Sequence, residues 1–529
     1  MLLDARQLPD GHVVDADVCI VGAGAAGITL ARELMASQFD VCVLESGGDE
    51  PDAETQSLSA AEVTGHPYTP LAQNRLRALG GTTAQWGGWC RPLDGIDFAH
   101  RPWVPHSGWP ITPETLRPYC AQAQTLLQLG SCNFDPAYWS SKLRAQLLPL
   151  DPARVVSKIY QLSPPTRFGR RYRQDLVAAR NVRVFLHATA LELEMAEGSG
   201  IVKVIAAGCL TGTRFRVRSR LFVLAMGGIE CARLLLLSNR RQPAGMGNEH
   251  GLVGRFFMEH IHFDGGELAL RRPGLATAGL YDHTWRPAVA RLFLSDEVQR
   301  QEDLLHHNAM LEPLFAPEHQ SAAQWMQRNL LRLRRRAIAY PSVRDGLAVT
   351  APLIQSGVHW AARLTGRMPA FRRTRLRFTL EQTPNPDSRV LLGDRCDAFG
   401  LPQARLHWQT APADRATYEK SRALLGAAFA QAGIGDLAET PTVADAGWPP
   451  LPLQGMYGHH MGTTRMSANP RQGVVDANCS VHTAPNLYIA SGAVFATSGS
   501  GTPTYTIVAL ALRLADHLKR VAATSALSG

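Results

Sequence analysis

The sequence predicts an α/β nucleotide-binding fold, and three blocks carry that prediction. A short apolar strand, a glycine-rich turn and a helix open the chain within its first 50 residues. A second strand, a Gly-Gly turn and a helix follow at 220–238, and a third strand–turn–helix block closes the chain at 486–518. With 529 residues in all, two or more domains, or one fold with large insertions, are expected around these blocks.

The first block is the most informative. Asp17 to Val21 ("DVCIV") reads as a buried strand, Ala25 to Ser37 ("AAGITLARELMAS") as a helix and Asp40 to Leu44 ("DVCVL") as a second strand, a βαβ unit within 30 residues. The turn between them is "GAGAAG". Gly22 permits the tight turn, Gly24 lets a pyrophosphate approach the backbone, and Gly27 lets helix and strand pack closely; the helix N-terminus supplies N–H donors. Glu45 closes the second strand 23 residues after Gly22, where a carboxylate can accept hydrogen bonds from an adenosine ribose and disfavours a 2′-phosphate. In this context the glycine motif indicates an adenine dinucleotide, without separating FAD from NAD.

The remaining blocks extend the same architecture. "RLFVLAMGGIECARLLLLS" (Arg220 to Ser238) predicts another strand of the same sheet, a turn and a helix. There is no second GxGxxG and no internal repeat, whereas flavoenzymes reduced by NAD(P)H commonly carry a second nucleotide fold. "LGGTTAQWGGWC" (Leu79 to Cys90) is a loop suited to backbone approach by a planar or phosphorylated ligand. In Asn486 to Leu518 a glycine-rich turn delivers backbone N–H groups at a helix N-terminus, where negative charge is stabilised. Between Gly266 and Pro450, "LRFTLEQ" reads as a strand, "PNPDSR" (Pro384 to Arg389) as a turn, and 321–340 as a helix with a rough apolar stripe through Trp325, Met326, Leu330, Leu333 and Ile338.

Composition bounds the class. The chain is 45% hydrophobic and 19% charged, as soluble globular proteins are, and no apolar run reaches the roughly 18 residues that span a bilayer. The N-terminus carries early acids and no apolar signal-peptide core, and nine scattered cysteines without a C-x-x-C pair suggest reduced thiols, so a cytoplasmic protein without a metal site is expected. The net charge of +9 comes from a single segment: 321–377 holds 12 arginines and one acid, Asp345. Removing these from the 54 basic and 45 acidic residues leaves 42 against 44. That block is either a solvated helical face with some buried arginine pairs, or a docking surface for an acidic partner or a membrane surface. Nucleic acid is not expected, because nothing nearby resembles a base-reading module.

Taken in order, the blocks resemble the glucose–methanol–choline (GMC) oxidoreductase family. The resemblance rests on Gly22 to Gly27 with Glu45, on Gly80 to Trp86, on Gly227-Gly228, on "HHMGTTRM" with "VVDANCSVH", and on "LYIASGAVFATSGSGTPT". It implies an FAD-binding domain from discontinuous segments (12–105, 177–265 and 451–522). It also implies a substrate domain (106–176 and 266–450) with an antiparallel sheet flanked by helices, the arginine-rich part at 321–377 being read as helical. The implied cofactor residues are Gly22, Gly24, Ala26, Gly27, Glu45 and Ser46 in the first unit. Gly80, Gly81, Thr82, Gln85, Trp86 and Gly87 follow in the loop, with Ala190 and Gly228 in mid-chain and Gly492, Ala493, Pro503 and Thr504 near the end. The implied reaction oxidises an alcohol (a sugar, a polyol or a biosynthetic intermediate) by hydride transfer to flavin N5, with the electron acceptor, oxygen or quinone, left open.

By the same resemblance the catalytic histidine lies three residues before the Gly of a G-T-x-x-M run. That run is Gly462 to Met466, which selects His459 as the base and leaves His460 as the secondary candidate. Two positions depart from the pattern. The loop position that carries a flavin-linking histidine in some members is Gln85, so non-covalent FAD is implied. The second catalytic position, usually Asn or His, is Thr502. That departure keeps open a non-redox lyase or decarboxylase on the same scaffold, and the arginine block keeps open a substrate presented by an acidic carrier protein.

Overall fold

The computed structural model describes residues 1–272, 280–281, 286–314, 373–438, 448 and 458–526. A nine-stranded sheet has a parallel core in the order Leu2–Asp4, Val182–Leu186, Val41–Leu44, His12–Val21, Arg214–Leu224, Ala484–Ile489. Three distant stretches of sequence therefore meet in one sheet. The strand Val41–Leu44 is buried at all four positions, as expected of a parallel strand covered on both faces. Arg214–Leu224 runs parallel to His12–Val21, so the strand predicted from "RLFVL" does join the first βαβ unit.

The Gly22–Gly27 turn shows why those glycines are needed. Gly22 has φ +99°, and a Cβ on Gly27 would lie 1.8 Å from the Gly22 carbonyl oxygen. No side chain fits there. The helix that follows, Ala25–Leu34, ends three residues before the predicted Ser37. It packs against the last helix, Pro503–Ala526, which also packs on Pro113–Leu126.

A seven-stranded, wholly antiparallel sheet is ordered Gly435–Ala438, Ile261–Leu270, Arg373–Leu380, His307–Pro313, Ala288–Leu294, Val155–Leu162, Trp89–Cys90. Its pleat sorts the side chains. His262 faces Thr379, Thr379 faces Asn308, and Arg377 faces Met310 across the ladder. Ile261, Phe263, Leu376, Phe378, Leu380, Ala309 and Leu311 alternate with them and are buried in the core. One face of this sheet is thus polar and the other packed. A third, three-stranded sheet (Arg389–Cys396, Pro402–Trp408, Ala61–Gly65) completes the α/β architecture, in which one sheet has a parallel core and another is wholly antiparallel.

The helical reading of 321–377 is corrected at its end. Residues 373–377 belong to the strand Arg373–Leu380, whose period-two alternation of Arg with Thr, Leu and Phe is a strand pattern. Arg373, Arg375 and Arg377 pair there with Glu267 (3.6 Å), Asp264 (3.0 Å) and Glu312 (2.9 Å). The expected helix at 321–340 and the other nine arginines lie outside the described residues. Among the described residues no helix is long and apolar enough to cross a membrane.

Candidate active site

A cavity of about 860 Å³ runs from the Gly22–Gly27 turn to the polar face of the antiparallel sheet. Gly22, Gly24, Ala26, Glu45, Ser46, Gly81, Thr82, Gln85, Trp86, Gly87, Ala190 and Gly228 line it, with Gly492, Pro503 and Thr504 at its far side. Gly27, Gly80 and Ala493 stand behind the wall. Gly27 backs the turn, Gly80 lets the loop pass Gly169, where a Cβ would lie 2.3 Å from the amide nitrogen, and Ala493 is fully buried.

The lining fits FAD. Gly24 caps the Ala25–Leu34 helix without a side-chain hydrogen bond, so the first-turn N–H groups are free to meet a pyrophosphate. Gly80 N donates to Ala23 O at 2.8 Å, which lays the Leu79–Cys90 loop over the same turn. Glu45 is buried, and burial raises its pKa. Its oxygens accept from Ala23 N (2.8 Å) and Gly47 N (3.0 Å), which fixes the carboxylate at the cavity wall, where it would meet the ribose of a bound FAD. The last helix begins at Pro503 on the cavity wall and brings a second positive helix end to it.

At the other end lie His459, His460 and Thr502. The His459 Nδ1 is 2.9 Å from His260 Nδ1, and His260 Nε2 is 2.9 Å from the Gly499 carbonyl oxygen. A carbonyl only accepts, so His260 Nε2 carries its proton. Burial lowers the pKa of His260, which is therefore neutral, and its Nδ1 must accept. It follows that His459 holds its proton on Nδ1 and leaves Nε2 as an acceptor, with no hydrogen-bond partner among the described residues. Burial, with His260 and His460 adding to it, holds the pKa of His459 well below 6.5. Such a ring is unprotonated at neutral pH.

Glu259 organises the backbone here. It is fully buried and accepts from the N–H groups of Gly458 (2.8 Å), His459 (2.9 Å) and His260 (2.9 Å) and from the Tyr68 hydroxyl. Burial still pushes its pKa up to about 7. Since the Tyr68 hydroxyl donates to Glu259, its oxygen accepts from His460 Nε2 at 3.1 Å. That contact commits His460 to Tyr68. Burial carries the His460 pKa down to about 3. The Thr502 hydroxyl donates to Trp89 O at 2.7 Å, so toward a ligand it can only accept.

Five participants were not read from the sequence: Glu259, His260, His262, Arg291 and Tyr68. The first three do leave a trace. In "EHIH" the two histidines are two residues apart, which on a strand puts them on one face. The His262 ring lies 6.2 Å from that of His459, and its Nδ1 is 3.1 Å from Thr379 Oγ1. Elsewhere, Asp94, Asp97 and His306 have metal-like spacing, but the Lys158 ammonium, 2.9 Å from Asp94, and Arg91 already meet that charge.

Fold and cavity together define the class: a nucleotide-binding α/β chain in which a half-buried imidazole, His459, lines the cavity. Residues 384–511 match the model described as GMC oxidoreductase, and residues 17–245 match the FAD dependent oxidoreductase model. The chain belongs to the GMC family and is an FAD-dependent alcohol oxidoreductase. It is 35% identical to a C-glycoside 3-oxidase of Microbacterium trichothecenolyticum, over 95% of this chain and 96% of that one. It is 23% identical to a 2-methyl-1,2-propanediol dehydrogenase of Mycolicibacterium austroafricanum (95% of each chain). A third relative is the fructose dehydrogenase large subunit of Gluconobacter japonicus, 23% identical over 96% and 98%. Among solved structures, pyridoxine 4-oxidase from Mesorbium loti shares the fold, with a TM-score of 0.51 at 14% identity over 95% and 98% of the two chains.

Proposed function

We propose that this protein oxidises a hydroxyl of a sugar, polyol or glycoside to the carbonyl, with His459 as the base. When bound, FAD supplies the hydride acceptor, flavin N5. The observation that carries the reading is the tautomer chain from Gly499 O through His260 to His459, which leaves His459 Nε2 as the lone pair in the cavity. Nε2 takes the hydroxyl proton as the carbinol C–H bond breaks. The imidazolium so formed is supported by Glu259, whose Oε1 is 4.0 Å from His459 Nδ1. The names of the glycoside, diol and fructose relatives favour a hydroxylated substrate over a simple alcohol.

The test is anaerobic mixing of the holoenzyme with a panel of sugars, polyols and glycosides. At least one member should bleach the visible flavin absorbance, and readmitted air then separates an oxidase from a dehydrogenase. A panel that is turned over while the flavin stays oxidised would assign the scaffold to lyase or decarboxylase chemistry instead.

The attachment of FAD belongs to the same proposal. Gln85 lines the cavity at the end of the Gly81–Ala84 turn, and its amide forms no histidyl bond. Acid precipitation should therefore leave all flavin in the supernatant, and the denatured chain should have the mass of its sequence. Flavin that sediments with the protein would refute non-covalent binding.

A further inference from the structure

Arg291 stands in the strand Ala288–Leu294, only 8% exposed, and lines the cavity from the polar face of the sheet. Its surroundings satisfy part of a guanidinium. Nη1 donates to Asn308 Oδ1 at 2.8 Å and lies 3.5 Å from Thr379 Oγ1. The head sits over the Trp89 and Tyr160 rings, 4.5 Å from each centroid. Nε is buried without a hydrogen-bond partner among the described residues. No carboxylate among the described residues pairs with it, whereas Arg377, on the same face, pairs with Glu312 at 2.9 Å. Desolvation lowers the Arg291 pKa, and the nearby Arg377 adds to that.

A buried cation without counter-charge is costly, and the aromatic faces and one amide offset only part of that cost. An anion bound beside it would meet the remainder. The position suits a ligand of one small molecule's size. Arg291 and His262 both reach Thr379, and the His262 ring is 6.2 Å from that of His459. Among the described residues, with Arg377 paired to Glu312, this face carries one net positive charge. That matches a carboxylate, and Glu312 disfavours a dianionic phosphate.

Resting on the alcohol-oxidation reading, we propose that Arg291 anchors a carboxylate, so that the substrate class is a hydroxylated acid, such as a uronate, an aldonate or an acid-bearing glycoside. A planar fork of donors fits a carboxylate geometrically as well as electrostatically.

The experiment uses holoenzyme at constant ionic strength, with D-glucuronate against D-glucose and D-gluconate against D-sorbitol. Thermal shift reads binding, and anaerobic flavin reduction reads turnover. In the wild type the acid of at least one pair should raise the melting midpoint more than its neutral partner. Arg291→Gln should abolish that difference and lower the acid-to-neutral ratio of kcat/KM by about 10- to 100-fold. If the glutamine variant does not fold, Arg291→Lys, which keeps the charge but not the fork, should lower the ratio to an intermediate value. No acid preference in the wild type, or a preference unchanged in the variants, overturns the proposal. A thermal preference that depends on Arg291, with no flavin reduction by any member, would leave the anion site standing and sink the oxidation reading alone.

Discussion

Replacing His459 by alanine is expected to slow substrate-driven flavin reduction by about 10²- to 10⁴-fold, with FAD still bound in the usual amount. The separation follows from the geometry. His459 lines the cavity beside the antiparallel sheet, whereas the cradle proposed for the dinucleotide lies at Gly22, Gly24, Glu45 and Gly81–Gly87. Rapid-mixing absorbance with a substrate found by the panel measures the rate, and the flavin-to-protein ratio measures retention. Full activity in His459→Ala together with an inactive His460→Ala would show that the G-T-x-x-M register selects the wrong histidine.

The pH profile should carry the same signature. Because the His459 pKa is depressed, the base remains available throughout the neutral range, and its protonation shows only as an acid limb well below pH 6.5. Glu259 titrates near 7 and stands 4.0 Å from His459 Nδ1. As pH falls through about 7, Glu259 loses the charge that supports the imidazolium, so kcat/KM should decline there first. Glu259→Gln should remove that limb. For stability the sign is opposite. The folded pKa of Glu259 is raised above the unfolded value, so the native state binds more protons between roughly pH 4.5 and 7, and this group's contribution to stability falls as pH rises across that window.

The second large effect is expected at Arg101. Arg101→Met should destabilise the holoenzyme by about 3–5 kcal/mol in urea unfolding, because it strands a buried carboxylate. Arg101 and Glu381 are 1% and 0% exposed and meet through two parallel 2.7 Å hydrogen bonds. Glu381 also accepts from His306 N (2.8 Å) and Gly499 N (3.3 Å). The pair therefore pins the loop whose carbonyl sets the His260 tautomer, and a slower reductive half-reaction should accompany the lost stability. Arg101→Met combined with Glu381→Leu, which removes both charges, should recover much of the loss. A single variant within about 1 kcal/mol of the wild type would mean that the cavity rehydrates and the pair contributes little.

Much of the nucleotide half of the molecule was legible in the chain. Gly22, Gly24 and Gly27 are spaced by the needs of one tight turn, and Val41–Leu44 is apolar because both its faces are covered. Such constraints act between residues near each other in sequence, so they leave a local pattern. The strand at 373–380 leaves one as well: "LRFTLEQ" reads as a strand from Leu376, and only its arginine-rich start falls within the segment taken as helical.

The side built on the antiparallel sheet is different. His459 was reached through the glycine–threonine run beside it, yet what orients it comes from residue 260, 199 positions earlier, and from the backbone of Gly499. Thr502 was singled out for its identity; only the folded structure showed its hydroxyl turned to Trp89. Arg291 carries no sequence signal at all. It becomes notable because the antiparallel register sets it on the cavity face beside two rings and beyond the reach of any described acid. By itself, then, the sequence determined the glycine turn, the parallel sheet that holds it and the family, and it pointed to His459. The tertiary structure alone decided tautomer, charge balance and partner, because those depend on burial and on contacts between strands far apart in the chain, and neither is written in local spacing.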